Sequence, residues 1–288
     1  MTALKGRKLK DCLLRGLIYL CAAFTVFLLA GIILYVFWRG SKTVTWEFLT
    51  GVKSALTGKV GIAGNIVNTC LIIILTMVIA VPLGIGSAIY LNEYAERGRA
   101  VALIEFATET LAGIPSIIFG LFGILFFGEK LGLGYSLLTG ALTLILMILP
   151  LLTRNTQEAL KAVPAMYRSA AIALGSGKWH MIRTVLLPAA LPGILTGIIL
   201  AVGRIIGESA ALLFTAGSAK FLPKNLTALL HKPWQSGGTL TIQMYLSATA
   251  EGDFTTAFGI AAVLLCLSLA SNLLIKILLK HLISKRKV

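Results

Sequence analysis

The sequence predicts an all-α integral membrane protein with about six transmembrane helices. Three observations lead to this prediction: long apolar runs, few charged residues, and basic residues that lie at the ends of the runs. Of the 288 residues, 57% are hydrophobic and 13% are charged, whereas a soluble domain has about 25% charged residues. This composition excludes an ordinary water-soluble globule.

Six stretches without Asp, Glu, Lys or Arg reach or nearly reach the ~20 helical residues that a bilayer core requires. They are residues 16–38, 60–92, 110–128, 131–153, 184–203 and 254–275. The second is longer than one span needs, so we expect its start, with Asn65 and Asn68, to lie at the membrane interface. The first is too long for a signal-peptide core and is interpreted as an uncleaved anchor.

Lys and Arg residues determine the predicted topology. The net charge is +15, from 26 Lys and Arg against 11 Asp and Glu. If the basic N-terminal segment 1–15 is cytoplasmic, the cytoplasmic segments hold 17 basic residues and the opposite side holds eight. Cytoplasmic loops carry such an excess. Both termini are therefore predicted to be cytoplasmic, and residues 16–288 to form one transmembrane domain. This distribution of charge indicates topology rather than a nucleic-acid partner.

Arg204 is the one basic residue assigned to neither side of the membrane, and it directly follows the charge-free stretch 184–203. If this span enters the membrane near Gly193, Arg204 lies roughly 16 Å deep at 1.5 Å per residue. Glu208 follows at i+4, on the same face of a continuous helix. Charges at this depth cost about 2.5–3.5 kcal/mol each, so we expect the two to bind each other in a polar interior. We interpret Arg204, Glu208 and the adjacent Ser209 as part of a substrate pathway for an anion; the alternative is a structural ion pair.

Two long segments connect predicted spans, and long loops are often functional. The outer segment, 217–253, contains Pro223, Pro233 and the flexible run 236–238. The cytoplasmic segment, 154–183, contains small and apolar residues that predict a short helix with an apolar surface, and Gly175 can end that helix. The residues concerned are Ala170, Ala171, Ile172 and Leu174.

The chain lacks the motifs of several other functions. No G-x-x-x-x-G-K-[ST] motif is present, so we expect no ATP bound through a P-loop. His180, His231 and His281 are not paired at metal-ligand spacing and the four cysteines form no CxxC pair, so we predict no metal site. Ser209 has no histidine in its span to activate it, which argues against a membrane-embedded serine protease. No catalytic residue and no cofactor is predicted for this chain.

Several motifs resemble those of ABC-importer permeases. Ser169-Ala170-Ala171, Gly175, Val185 and Leu187-Pro188 resemble the EAA loop, with Ser169 in place of its Glu and Val185 in place of its Ile. Residues 82–95, 112–123 and 149–164, and the G-R-x-x-G-E-[ST] match at 203–209, resemble in order the PstA-type permease of phosphate-specific ABC importers. The run 153–159, Thr-Arg-Asn-Thr-Gln-Glu-Ala, favours PstA over its sister subunit PstC.

The resemblance implies a type I ABC importer permease fold in a prokaryotic cytoplasmic (inner) membrane, and ATP-driven import of inorganic phosphate. It implies four kinds of partner: a PstC-like second permease subunit, an ABC ATPase dimer that binds ATP and Mg²⁺, an extracytoplasmic phosphate-binding protein and the lipid bilayer. The loop at about 154–188 would couple to the ATPase through Ser169, Ala170, Ala171, Leu174 and Gly175. The alternatives are a permease for molybdate, sulfate or phosphonate, a stand-alone channel or secondary transporter, and an ordinary surface helix at 169–175.

Overall fold

The computed structural model describes residues 2–52, 61–96, 98–223 and 225–284, and this part of the chain is almost entirely helical. The thirteen α-helices of the described residues are α1 Thr2–Gly40, α2 Trp46–Thr50, α3 Ala63–Ile89, α4 Arg99–Ala112, α5 Ser116–Gly123, α6 Leu137–Lys161, α7 Ala165–Ala173, α8 Lys178–Met181, α9 Leu187–Gly207, α10 Ala210–Thr215, α11 Leu226–His231, α12 Leu240–Thr249 and α13 Phe254–Ser284. Three π-helical turns extend them: Tyr90–Tyr94, Ile124–Lys130 and Ile182–Leu186. A 3₁₀ turn, Lys232–Trp234, follows α11.

Five helical stretches are long and apolar enough to cross a membrane, and a sixth is a bent pair of helices. The five are Leu13–Gly40, Ala63–Tyr94, Leu137–Lys161, Lys178–Gly207 and Phe254–Ile277. The number of spans and the all-helical class predicted from the sequence are thereby confirmed. The predicted start of the second span at residue 60, and the topogenic charges at 53, 59, 97, 224 and 285–287, lie outside the described residues.

Close approaches at glycines give the relative directions of the helices. Gly84 lies against Leu152 and Gly140 against Ile72, so α3 and α6 run parallel. Gly193 lies against Ala159 and Gly197 against Asn155, so α6 and α9 run antiparallel. Gly40 lies against Phe258 and Ala262, which places the end of α1 beside the start of α13. α7 therefore lies at the end of the bundle where α3 and α6 finish, and the segments around α2, α11 and α12 lie at the other end.

The core is built around α6, which packs against α3, α5, α9 and α10. Its buried side chains, among them Leu144, Ile148 and Leu152, join residues of α3, α9 and α10 in the largest apolar cluster. α1 has the opposite character: from Leu13 to Leu34 its described side chains are exposed along every face, and it contacts α13. An apolar helix exposed on all sides is stable in lipid rather than in water.

The third predicted span, 110–128, is not one straight helix. α4 ends at Ala112, the chain turns at Gly113–Pro115, and Ser116–Lys130 continues at an angle of 101° to α4. Pro115 has no backbone donor and constrains the residue before it, so the helix cannot continue through this position. The predicted span therefore contains only the last three residues of α4, which carries Glu105 and Glu109, and the whole of the more apolar α5.

The two connecting segments contain more regular structure than the sequence indicates. α6 continues to Lys161 and a new helix begins at Lys178, so the predicted 154–183 loop shrinks to a short segment around α7. In the outer segment, half of the α12 residues are buried, and Gly237 and Gly238 pack against Asn68 and Ser218. Their predicted flexibility is wrong, because a Cβ at either position would meet atoms at about 3 Å.

Asn65 and Asn68 are buried inside the protein near the start of α3. The Nδ2 of Asn65 donates to the carbonyl of Gly238 at 2.9 Å. The Nδ2 of Asn68 donates to the carbonyls of Gly238 at 3.1 Å and Ala219 at 3.2 Å. These amides satisfy carbonyls of the irregular outer segment, which cannot use water once buried.

Candidate functional site

Arg204 lies in the last turn of α9, and its side chain is exposed to a cavity between α4, α6 and α9. The cavity has a volume of about 190 Å³ and is also lined by Thr108, Glu109, Asn155 and Glu158. Arg204 makes no hydrogen bond or ion pair with any of the described residues. Its guanidinium therefore retains all five donors for a group that enters the cavity.

The guanidinium of the second arginine in this cavity, Arg154, is already paired with two carboxylates. Nη1 of Arg154 contacts Oε1 of Glu109 at 2.7 Å, and its Nε lies 3.5 Å from Oε1 of Glu158. Both carboxylates and the arginine are more than half exposed, so each contact contributes little to stability. The charged residues that line this cavity, Glu109, Glu158, Arg154 and Arg204, sum to zero, and Arg204 is the one whose side chain forms no ion pair with the described residues.

Glu208 does not share a helical face with Arg204, and the predicted ion pair between them is wrong. α9 ends at Gly207 and Glu208 has an extended backbone, so the i+4 relation fails. Oε1 of Glu208 instead accepts a hydrogen bond from the backbone N–H of Ala211 at 3.0 Å. Its carbonyl accepts one from the hydroxyl of Thr241 at 2.8 Å. Glu208 is buried and connects the start of α10 to α12.

Ser209 stands half-buried at the start of α10, where its carbonyl accepts the N–H of Leu213 at 2.9 Å. Of the three predicted pathway residues, Arg204 faces the cavity, whereas Glu208 and Ser209 form the break that follows it. Gly207 was the signal for this break, because glycine is common where a helix stops. Glu109, Asn155 and Glu158 were not predicted to share the cavity with Arg204.

The predicted short helix of the cytoplasmic segment is confirmed as α7, Ala165–Ala173. Gly175 follows it with φ +77°, the left-handed conformation that ends helices. Its N–H donates to the carbonyl of Ile172 at 2.9 Å, and that of Ser176 donates to Ala171 at 3.0 Å. Glycine at this position was correctly predicted to end the helix.

The apolar surface of α7 is larger than predicted and differs in composition. Ser169 and Ala170 are exposed and Leu174 is 88% exposed, but Ala171 is buried against the chain's own core. Ala171 therefore cannot belong to an outward docking surface. Met166, Tyr167 and Ile172 are exposed beside the predicted residues. Met166 and Tyr167 precede the EAA-like motif and carried no signal in it.

Two side chains fix the α7–α8 segment to the end of the second span. Nη2 of Arg168, on α7, contacts Oε1 of Glu93 at 2.8 Å in the π-helical turn Tyr90–Tyr94. Nζ of Lys178, at the start of α8, lies 4.8 Å from the ring centroid of Tyr94. Sequence reasoning did not find these contacts, because Glu93 and Arg168 are 75 positions apart.

The residues that the structure describes contain no group of three or more His, Cys, Asp or Glu that could hold a metal ion.

Comparison with solved structures defines the class of the fold. The chain is similar to a structure titled "Inward facing conformations of the MetNI methionine ABC transporter", with TM-score 0.54 and 21% identity over 78% of this chain and 94% of that one. It is also similar to a bacterial alginate ABC transporter in complex with an alginate-bound periplasmic protein, with TM-score 0.63 and 15% identity over 94% of each chain. The fold is that of type I ABC importer permeases, as predicted.

Sequence comparison identifies the family. Residues 80–288 match the family described as "Binding-protein-dependent transport system inner membrane component". The chain is 41% identical to the probable ABC transporter permease protein YqgI of Bacillus subtilis over 212 residues, 74% of this chain and 72% of that protein. It is 36% identical to the phosphate transport system permease protein PstA of Yersinia pestis over 227 residues, 79% and 74% of the two chains. Identity to the permease protein PstC of Mesorhizobium japonicum is 32% over 282 residues, 87% and 81%. The chain belongs to this family, as a PstA-type permease of an ABC importer.

Proposed function

We propose that this chain is a permease subunit of an ATP-driven importer of inorganic phosphate. It forms half of the translocation pathway, and a PstC-like second permease subunit forms the other half. An extracytoplasmic phosphate-binding protein delivers the substrate. An ABC ATPase dimer binds ATP and Mg²⁺ and hydrolyses the ATP, so this subunit is not catalytic. The complex lies in the cytoplasmic (inner) membrane of a prokaryote.

The names of the PstA relatives, at 34–36% identity, support phosphate as the substrate. The observation within this chain that carries the proposal is the free guanidinium of Arg204 in the cavity beside α6. A planar guanidinium binds two phosphate oxygens at once, and such charge-assisted hydrogen bonds are about twice as strong as neutral ones. Because Glu208 is engaged with Ala211, it does not have to release Arg204 when the anion arrives.

The exposed apolar surface of α7 supports docking of a separate ATPase. Met166, Ile172 and Leu174 are each more than 60% exposed at the end of the bundle where α3 and α6 finish. Large apolar side chains grouped at a membrane protein's water-facing end are typical of an interaction site. In the proposed alternating-access cycle, closure of the ATPase dimer displaces α7 and the pathway opens outward. The pathway opens inward again after ATP hydrolysis.

Phosphate uptake tests this proposal directly. The gene is deleted in a strain without other phosphate transporters, and intact, Arg204→Lys, Arg204→Gln and Arg15→Gln copies are restored. We expect the intact gene to rescue uptake of radiolabelled phosphate. Arg204→Gln should lower it at least about tenfold, since a hydrogen bond to a charged group contributes ~1.5–3 kcal/mol. Arg204→Lys should retain part of it. Arg15 is exposed on α1 away from the cavity, so its variant is the charge-matched control.

Two outcomes contradict the proposal separately. If the intact gene does not restore phosphate uptake, the substrate is wrong, and molybdate, sulfate and phosphonate are tested in the same strain. If assembled Arg204→Gln complexes import at the intact rate, the role of Arg204 is wrong and the substrate assignment stands. Co-purification of the second permease establishes that each variant is assembled.

A further inference from the structure

The α7–α8 segment is joined to the spans by more than its two ends. Covalently, it follows α6 and leads through the π-helical turn Ile182–Leu186 into α9. It is also bound to the π-helical turn Tyr90–Tyr94, at the end of α3, by Arg168 and Lys178. The segment therefore has a direct connection to a span that is distant from it in sequence.

Arg168 occupies the centre of this connection. Its Nη2 contacts Glu93 at 2.8 Å and also donates to the carbonyl of Leu160 at 3.1 Å. Its Nη1 donates to the carbonyl of Val163 at 3.3 Å. Leu160 lies in the last turn of α6, so one guanidinium holds the end of α6, the end of α3 and α7 together. The fixed fork of the guanidinium makes three simultaneous contacts possible, and an ammonium cannot reproduce its geometry.

The ion pair between Glu93 and Arg168 is largely shielded from solvent, and a neighbouring side chain orients the carboxylate. The Glu93 side chain is 7% exposed and that of Arg168 is 25% exposed, in contrast to the open Arg154–Glu109 pair. Nδ2 of Asn92 donates to Oε1 of Glu93 at 2.7 Å, which holds the carboxylate toward α7. A buried carboxylate needs both partners, since loss of one leaves a charge without compensation. Separating Arg168 from Glu93 is therefore costly, which ties α7 to the end of α3.

We propose that Arg168 is a positioning residue for energy coupling: through Glu93 and the carbonyl of Leu160, it makes α3 and α6 follow a displacement of α7. Lys178, over the ring of Tyr94, supports the same contact from α8. This inference rests on the proposed docking of an ATPase on α7 and assigns the transmission of its motion to a specific pair. π-helical turns are rare and often lie at functional sites. In this proposal the turn Tyr90–Tyr94 receives the motion of α7 through side chains, and the turn Ile182–Leu186 receives it through the backbone.

The test uses the complete importer, with both permeases, the ATPase dimer and the binding protein, reconstituted in liposomes. ATP hydrolysis and phosphate uptake are measured in the same vesicles for the wild type, Glu93→Gln, Arg168→Gln, Lys178→Gln and the Glu93→Gln/Arg168→Gln double variant. Arg99→Gln is the control, because Arg99 is an exposed arginine at the same end of the bundle and makes none of these contacts. The amount of ATPase bound to each complex is measured first.

We expect Glu93→Gln and Arg168→Gln to bind the ATPase normally but to lower phosphate uptake per ATP hydrolysed at least about fivefold, the lower end of measured couplings between sites. The double variant should be no worse than either single variant, because both remove the same contact. Lys178→Gln should lose less. A residue with only a structural role would reduce assembly or stability and leave the ratio of uptake to hydrolysis unchanged.

The outcomes distinguish this inference from the function on which it rests. If the wild-type complex binds no ATPase or imports no phosphate, the proposed function fails. If the wild type couples normally and the variants have the same ratio of phosphate uptake to ATP hydrolysis, the inference alone is overturned. It is also overturned if Arg99→Gln lowers that ratio as much as they do. If Arg168→Gln does not assemble, Arg168→Lys decides: it keeps the charge near Glu93 and loses the three-way fork. An intermediate ratio supports the inference, and a wild-type ratio overturns it.

Discussion

Single glycines determine how closely α6 and α9 approach each other. A Cβ at Gly193 would lie 2.6 Å from the Cβ of Ala159, and one at Gly197 would lie 2.9 Å from the Cβ of Asn155. This pair has the spacing that allows membrane helices to pack closely. Gly203 and Gly207 have the same spacing, but a Cβ there would meet none of the described residues within 4 Å. Of the two pairs, only Gly193 and Gly197 make a close helix contact within the described chain.

Gly193→Leu tests this close contact. We expect it to force α6 and α9 apart and to destabilise the chain by about 1–3 kcal/mol, as overpacking of a filled interior does. Gly31→Leu is the control, since a Cβ at this position of α1 meets no described atom within 4 Å. Thermal stability of both variants is measured by size-exclusion chromatography after heating in detergent. Equal stability would contradict the packing described for α9.

Lys232 is a buried cation of the outer segment. It is 1% exposed, and its Nζ has no hydrogen-bond partner among the described residues. Burial lowers the pKa of Lys232, because it disfavours the charged form. Between the lowered pKa and the unfolded value near ~10.4 the folded chain binds fewer protons, so the stability contributed by this group rises with pH over that window.

Lys232→Met keeps the volume of the side chain and removes the charge. We expect the apparent melting temperature near pH 7 to increase by about 2–4 °C, the shift that ~1 kcal/mol produces in a domain of this size. As the pH rises into the alkaline range, the variant should also gain less stability than the wild type. The control is Lys42→Met, at an exposed lysine, where surface substitutions change stability by about 0.5 kcal/mol or less. A melting temperature lowered by Lys232→Met would show that the ammonium has a partner.

At the scale of the element, the end of α7 depends on one left-handed residue. Gly175 has φ +77° and Gly177 has φ −66°, and a Cβ at either position would meet no described atom within 4 Å. Gly175→Ala should therefore cost about 1–2 kcal/mol through its backbone conformation alone. Gly177→Ala is the matched control with no such cost.

We expect Gly175→Ala to reduce the ATPase that co-purifies with the permease by about fivefold or more, since ~1 kcal/mol changes a folded population by that factor. The helix end would fray and Leu174 would lose its fixed position. Gly177→Ala should co-purify the wild-type amount. If both variants retain the ATPase equally, the conformation at Gly175 has no role in docking.

Different elements were predictable to different degrees, for physical reasons. The spans in α1 and α13 follow from uninterrupted apolar runs, and α7 follows from its composition and Gly175. The bend of 101° at Gly113–Pro115 is a property of the backbone, since Pro115 interrupts the helix, and the apolar pattern alone does not give its angle. Arg204 was found because a charge in a span is costly, but its relation to Glu208 assumed a helix that ends at Gly207. Glu93 and Arg168 meet only through tertiary structure, so no local pattern could pair them.

At the scale of the whole molecule, this chain is one part of a larger assembly. A cavity of about 440 Å³ between α3, α4, α5 and α6 is lined almost entirely by apolar side chains such as Leu111, Phe122 and Leu146. Exposed apolar surface of this kind is stable only against lipid or another protein. In the proposed importer, the second permease covers the face of α4 and α5, while α1 remains in lipid.

The proposed orientation in the membrane requires that α7 and the outer segment face opposite compartments. Basic residues favour a cytoplasmic α7, and the directions of α3 and α6 place Asn225 at the far end of the bundle. A cysteine-free parent with Asn225→Cys or Leu174→Cys, expressed without the ATPase, is labelled with a membrane-impermeant maleimide; both positions are exposed. We expect Asn225→Cys to react in intact cells and Leu174→Cys to react only after permeabilisation. The reverse pattern would contradict the topology and also ATPase docking on α7, because ATP is available only on the cytoplasmic side.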